Sequence, residues 1–231
     1  MGGSDLRRGR QRKRKITGYF DEQSTSYFDR YYRKIDRKYP VLYLRQKYIL
    51  EMLGNRRRGR VLDVGCGSGA MILELVKRGY EAFGFDLSSS MVRNARGLLA
   101  ASGAPEPFLM AADLERMPFA DGCFDVVVCA GVIEYLEQDE AALREIARVL
   151  KPGGVAFITI TNALAPFWLL ETAGKLVGVW ERMVSLTRGG ASLPKARVHV
   201  PRALARLARR FQLVEVDRAY FHFLPLPFPL G

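Results

Sequence analysis

Material for a disulfide framework, a zinc site or a membrane span is scarce in this sequence. Three cysteines (Cys66, Cys123, Cys129) among 231 residues are too few for a cross-linked scaffold, and without an export signal they point to a reducing compartment. Two histidines and no Cys-x-x-Cys pair leave no zinc ligand set, so no metal is expected. No uncharged apolar run reaches the roughly 18–20 residues that cross a bilayer. The basic start is not followed by the apolar segment of a signal peptide, and Leu6 stands where a myristoylation signal needs Ser or Thr. A cytoplasmic protein is expected. At 48% hydrophobic and 26% charged residues, the chain has enough apolar material for one α/β domain with some embellishment.

Acidic charge is also in short supply, and the formal net charge is +12. Half of the excess lies in residues 1–15, where Arg7, Arg8, Arg10, Arg12, Lys13, Arg14 and Lys15 face only Asp5. Such a run predicts a disordered tail over residues 1–16. Two further clusters are Arg56, Arg57, Arg58 and Arg60, and Arg202, Arg206, Arg209 and Arg210. Basic patches of this kind suit RNA, acidic lipid headgroups, an anionic substrate or plain solvation. Peripheral membrane contact is therefore part of the expectation.

Residues 17–58 read as an N-terminal helical segment. An aromatic stretch runs from Tyr19-Phe20-Asp21 to Tyr32, and Pro40 opens a second helix with Val41, Leu44, Tyr48, Ile49 and Met52 at helical spacing. From residue 59 strands and helices alternate. Val61–Val64, Glu81–Phe85, Phe108–Ala112, Phe124–Ala130 and Val155–Thr161 read as strands, several apolar enough to be buried on both faces. Helices are expected at about Ser68–Arg78, after a Ser88 cap, and from Asp139 through Leu150. This pattern predicts an α/β fold with a doubly wound, mostly parallel sheet and a ligand at the carboxyl ends of the strands. The domain runs from 59 to 231 and carries an apolar helical insertion at about 162–200. After it come a helix over Pro201–Phe211 and a sixth strand over Leu213–Val216. Pro225, Pro227 and Pro229 crowd the end, so either Tyr220–Leu224 makes a short last strand or a partner or membrane covers the sheet edge.

The chemistry concentrates at the strand tips. Asp63-Val64-Gly65-Cys66-Gly67-Ser68-Gly69 joins a strand directly to a helix, where glycines let a ligand approach the main chain. Asp86 ends the next strand, placed to accept both hydroxyls of a ribose. Asp113 follows the third strand, placed to meet an exocyclic adenine amine. Gly65-x-Gly67-x-x-Ala70 also satisfies the dinucleotide fingerprint. An acid directly before the loop is awkward for a pyrophosphate, however, and suits a ligand carrying an ammonium or a sulfonium.

With these residues in place, the chain resembles the class I S-adenosylmethionine-dependent methyltransferases. The resemblance runs from Val61 to Ile160. It rests on Val61–Gly69, Gly84-Phe85-Asp86-Leu87-Ser88, Ala112-Asp113-Leu114, Phe124-Asp125-Val126-Val127-Val128 and Leu150-Lys151-Pro152-Gly153-Gly154. It implies that S-adenosylmethionine is the cofactor and S-adenosylhomocysteine the product. Asp63 and the Gly65-Cys66-Gly67 loop would bind the methionine end, and Asp86 the ribose with Leu87 beside it. Asp113 and Leu114 would border the adenine, Met91 would pack on its face, and Ala130 would present backbone near the sulfonium. Within the family the likeness is to the branch that methylates quinones, porphyrins and lipid-like molecules. Residues 17–58 are similar to the lid of those enzymes, and Tyr19 and Tyr27 are the candidates to close over the methionine moiety.

The resemblance implies an O- or C-methylation of a small hydrophobic acceptor, in which the protein mainly aligns the reactants. Tyr135 stands where many relatives have histidine. Tyr135 and His199 are the catalytic candidates, with Glu134 and His222 as further groups able to supply a base. Phe167, Trp168 and Trp180 of the insertion are expected to wall the acceptor pocket. A second reading keeps the fold and gives it RNA, on the strength of the basic segments. No Asn/Asp-Pro-Pro-Tyr/Phe run after the fourth strand supports it. A third is a non-catalytic protein that keeps the cofactor fold. The acids at 63, 86 and 113 argue for a working pocket.

Overall fold

Strands made of Val, Leu and Phe with few polar interruptions have no wet face, so each must be covered by helices on both sides. In the computed structural model, which describes residues 3–29, 32, 41–54, 59–105, 107–163 and 196–219, five parallel strands satisfy that demand. They are β1 (Arg60–Val64), β2 (Glu81–Asp86), β3 (Phe108–Ala111), β4 (Phe124–Cys129) and β5 (Leu150–Ile158), ordered β3-β2-β1-β4-β5. The central β1 pairs along its whole length with β2, Arg60 opposite Glu81 through Val64 opposite Phe85. On its other side it pairs with β4, Val61 opposite Val126 through Val64 opposite Cys129. The doubly wound parallel sheet expected from the sequence is thus the observed one.

The period of two along each strand sorts side chains into two core layers. Val61, Val126 and Val128 enter one layer with Ile72 of α3 (Ala70–Lys77), Leu99 of α4 (Ser89–Ala101) and Leu53 of α2 (Val41–Leu53). Leu62, Val64 and Val127 enter the other with Leu143, Ile146 and Val149 of α5 (Glu140–Val149). Leu204, Leu207 and Phe211, in and after α6 (Pro201–Arg209), pack on that second layer. Ser88 caps α4 as expected, its Oγ accepting from the Met91 amide at 3.0 Å.

Three expectations need correction. Gly3–Phe28 form one helix, α1, where a disordered tail was expected to precede a helix from about residue 18. Two of the basic residues find acceptors in the domain: Arg12 Nε donates to the Tyr135 carbonyl at 2.7 Å, and Lys13 pairs with Asp113 and Glu115. β5 spans Leu150–Ile158 rather than the expected Val155–Thr161, so it takes in Pro152-Gly153-Gly154. The register slips from Phe124 opposite Leu150 to Val126 opposite Val155, so the extra residues bulge while Lys151 Nζ holds both Asp125 oxygens at 2.8 Å. Leu213–Val216 is irregular rather than a sixth strand. Leu213 packs on the core, but Val214 and Val216 stand exposed with no strand beside them among the described residues. The insertion helix with Phe167, Trp168 and Trp180, the arginines 56–58, and residues 220–231 with His222 lie outside the described residues.

Ile146 is wholly buried under β4 and β5. Ile146→Ala is expected to cost about 2–5 kcal/mol, the range for deleting a buried branched side chain, read from the urea midpoint. A loss near zero would mean that α5 does not pack as described.

Candidate functional site

Parallel strands end together, so acids placed at successive tips are brought side by side. Asp63 in β1, Asp86 at the end of β2 and Asp113 two residues beyond β3 occupy three adjacent strands in this way. At about 4.8 Å between neighbouring strands they span roughly 10 Å. All three line one cavity with about 1080 Å³ of unfilled space, part of it open to solvent.

The loop after β1 forms the floor. Gly65 and Gly67 adopt φ of 67° and 51°, which L side chains rarely adopt. A Cβ on Gly65 would meet Val132 Cγ2 at 2.4 Å, so the loop lies against the chain that follows β4. A Cβ on Gly67 would meet only Tyr27, at 3.9 Å: here the backbone faces open space, as close approach by a ligand demands. Asp86 braces the loop, its carboxylate accepting from the Gly67 amide at 3.0 Å and the Ser88 amide at 2.8 Å. The buried Ser68 Oγ, also in the lining, has no hydrogen-bond partner among the described residues, which leaves a donor and acceptor for a ligand.

The roof comes from the N-terminal helices. Lys13, Ile16, Phe20 and Tyr27 of α1 line the cavity, spaced by three, four and seven residues so that one helix face supplies them all. Phe20 meets the Tyr135 ring edge-on at 5.7 Å, and Asp21 Oδ1 accepts from Ser88 Oγ at 2.5 Å. From α2, Gln46 Nε2 donates to the Ala70 carbonyl at 2.8 Å. Arg45 brings its guanidinium against Gly131, where a Cβ would come within 2.1 Å of Nη1, and hydrogen-bonds Tyr32.

Burial sets the electrostatics. It pushes the Asp63 carboxyl up to about 8, against the opposing pull of the Arg45 charge. It raises Asp86 too, although amide hydrogen bonds from Ser88 and Gly67 hold that shift back. A cation at Arg45 and a titratable carboxyl at Asp63 therefore share one end of the cavity, an arrangement suited to the two charged groups of an amino acid.

Most of the residues singled out from the sequence meet here. Asp63, Gly65, Cys66, Gly67, Asp86, Leu87, Met91, Asp113, Leu114 and Ala130 all line the cavity, as do Tyr27 and Tyr135. Met91 is at once core and lining. Tyr19 is not in the lining; its ring lies edge-on to Phe20, 5.2 Å away, and Phe20 takes the inward position. His199 is not in the lining either. It is buried with Nε2 3.2 Å from Asp139 Oδ1, and Arg197 binds the same carboxylate through both nitrogens at 2.9 Å. Burial raises the Asp139 carboxyl, but bonds from His199 and Arg197 outweigh it and the net shift is downward. Lys13, Phe20, Arg45 and Gln46 were not foreseen. The i, i+3, i+7 spacing of Lys13, Ile16 and Phe20 was the available signal for α1; Arg45 carries no local signal.

Part of the chain is similar to known proteins. Residues 62–158 match the family model described as a methyltransferase domain. A ubiquinone biosynthesis O-methyltransferase of Sodalis glossinidius is 31% identical over 131 residues, 57% of this chain and 53% of that protein. A malonyl-[acyl-carrier protein] O-methyltransferase of Pseudescherichia vulneris is 37% identical over 119 residues, 51% of this chain and 45% of that one. The chain thus spans about half the length of the curated relatives it matches. Among solved structures, magnesium protoporphyrin IX methyltransferase from Synechocystis shares the fold with a TM-score of 0.61 at 21% identity, over 87% of this chain and 88% of that chain.

Asp63 makes a pH signature. Between the ordinary carboxyl value of about 4 and its folded value of about 8, the folded protein keeps a proton that the unfolded chain has lost. This group therefore makes stability fall as pH rises through that window. Asp63→Asn is expected to gain stability relative to the parent from pH ~4 to pH ~8, measured by urea unfolding at several pH values. Parallel curves for the two proteins would mean that Asp63 is ionised in the folded state.

Proposed function

We propose that this chain, whose residues 62–158 match a methyltransferase domain, is a class I methyltransferase that transfers a methyl group from S-adenosylmethionine to a small apolar acceptor. The observation that carries the reading is one cavity holding Arg45 and Asp63 together with acids at the next two strand tips. The residues fit the ligand: Gly67 faces open space, Ser68 Oγ lacks a partner among the described residues, and the charged pair matches an amino-acid end.

S-adenosylmethionine supplies an electrophilic methyl on a sulfonium, which an acceptor oxygen or carbon takes in line. The protein's part is to hold and align. Arg45 holds the carboxylate and Asp63 the ammonium, Asp86 accepts the ribose hydroxyls, and Asp113 faces the adenine amine. Met91, Leu87 and Leu114 pack the base. Ile16, Phe20, Val132 and Leu136 give the rest of the lining an apolar character suited to the acceptor, in keeping with relatives named for quinone and acyl-carrier methylation. Tyr135 is the lining residue able to take an acceptor proton. His199, fixed to Asp139, instead positions the segment beside the loop at 131–136. α1 and α2 act as the lid, and the domain proper begins at residue 59. No helix among the described residues is long and apolar enough to cross a membrane, so a lipid-like acceptor would be met by peripheral contact through the basic segments.

Titration calorimetry tests the reading. S-adenosylmethionine and S-adenosylhomocysteine are expected to bind and NAD not to. Arg45→Leu should weaken binding about 10–100-fold, the value of a charged hydrogen bond, and Asp86→Ala should weaken it too. Below pH ~8 a cationic ligand must drive a proton off Asp63, so its affinity should rise with pH until about 8 and then level. NAD binding without either adenosyl ligand would overturn the assignment.

A further inference from the structure

We propose that the outward faces of α1 and α6 form one docking surface for an anionic lipid bilayer, flanking the loop that walls the cavity. α1 has two faces. Lys13, Ile16 and Phe20 line the cavity, while Arg10, Arg14 and Lys15 are exposed. α6 repeats the division. Leu204, Leu207 and Phe211 pack on the core, while Arg202, Arg206 and Arg209 stand exposed at i, i+4 and i+7, a single stripe along the helix.

α1 and the chain leading into α6 meet at one atom. The Glu134 carbonyl accepts from Arg12 Nη2 of α1 at 3.4 Å and from the Arg197 amide at 2.7 Å. Arg197 lies four residues before α6, and between them Val198 and Val200 are each 42% exposed. Exposed cations together with exposed aliphatic side chains are what the headgroup and upper acyl layers of an acidic membrane accept. Arg10, Arg14, Lys15, Arg202 and Arg206 make no ion pair among the described residues. By contrast, Arg210 is paired with Glu140 at 2.8 Å and Arg209 lies near Glu215.

A single-stranded RNA would call for exposed rings on which bases stack. The exposed aromatics among the described residues are Tyr43 and Tyr48 on α2 and Phe108 on β3, away from the stripe, whose apolar members are valines. The site that the docking surface would serve rests on the reading of the acceptor as apolar. Its evidence, however, is independent of the cofactor residues.

The test is sedimentation of the full chain with phosphatidylcholine vesicles, with and without phosphatidylglycerol, beside calorimetry with S-adenosylhomocysteine in vesicle-free solution. Binding is expected to the acidic vesicles alone and to fall as salt rises. Arg202→Gln with Arg206→Gln should weaken it about tenfold or more, at roughly fivefold per lost charge. Arg10→Gln with Arg14→Gln should do likewise, both with S-adenosylhomocysteine affinity unchanged. Equal binding to both vesicle types, displacement by inorganic phosphate at matched ionic strength, insensitivity to either double variant, or RNA outcompeting the vesicles would each overturn the proposal. Loss of vesicle binding with intact S-adenosylhomocysteine affinity strikes the docking surface alone. Failure to bind S-adenosylhomocysteine strikes the functional reading instead.

Discussion

A carboxylate at the end of a buried strand loses its hydration, and the protein around it must supply the charge or the proton that water no longer does. Asp63 is in that position, in register with Gly84 on one side and Val128 on the other. The nearest answering charge is Arg45, which belongs not to the sheet domain but to α2. The N-terminal helices are therefore part of the site's electrostatics, not an appendage to it. Their placement has further requirements in turn: the absence of a side chain at Gly131, room for Tyr32 beside the guanidinium, and Gln46 on the first turn of α3.

Charge and packing hold the roof in different proportions. Lys13 with Asp113 and Glu115 is a partly exposed set of ion pairs, and pairs of this kind contribute only about 0–1 kcal/mol each. The buried Ile16 and the edge-on contact of Phe20 with Tyr135 carry more of the attachment. A ligand that uses Asp113 must share it with Lys13, so the ion pairs and the ligand answer to the same acid. A roof held mainly by a few apolar contacts at one face of a helix is well matched to a cavity that must be filled and emptied.

On the other side of β4 a second group of buried charges has a structural task. Asp139 stands at the N-terminus of α5, yet its side chain makes no capping bond there. It holds Arg197 and His199 instead, and the backbone of Arg197 reaches the Glu134 carbonyl. The loop that carries Tyr135 into the cavity is thereby tied to a segment sixty residues later in the chain. Burial raises the Glu134 carboxyl in the same neighbourhood, with Arg45 and His199 pulling the other way.

The strands, the glycine loop and the three acids were legible because each depends on local pattern: apolar runs for buried strands, glycine where the main chain must turn tightly, an acid where a strand stops. Parallel pairing then leaves little choice about where the tips assemble, and Asp63, Asp86 and Asp113 meet as their spacing foretold. Tyr135, singled out from the family resemblance, lines the cavity too. Three things were not legible. The basic run at the start reads as solvated tail because its acceptors, the carbonyls of residues 134 and 135 and the acids at 113 and 115, lie a hundred or more residues away. His199 reads as a base because no local pattern reveals that Asp139 claims it. Leu213–Val216 has strand composition, but a strand exists only where a neighbour offers its edge. Sequence alone determined the elements and the cofactor loop, since these follow from short-range sterics and hydrophobic period. Tertiary structure alone decided which charges lost their water and found each other, because desolvation and ion pairing depend on groups that the chain brings together only by folding.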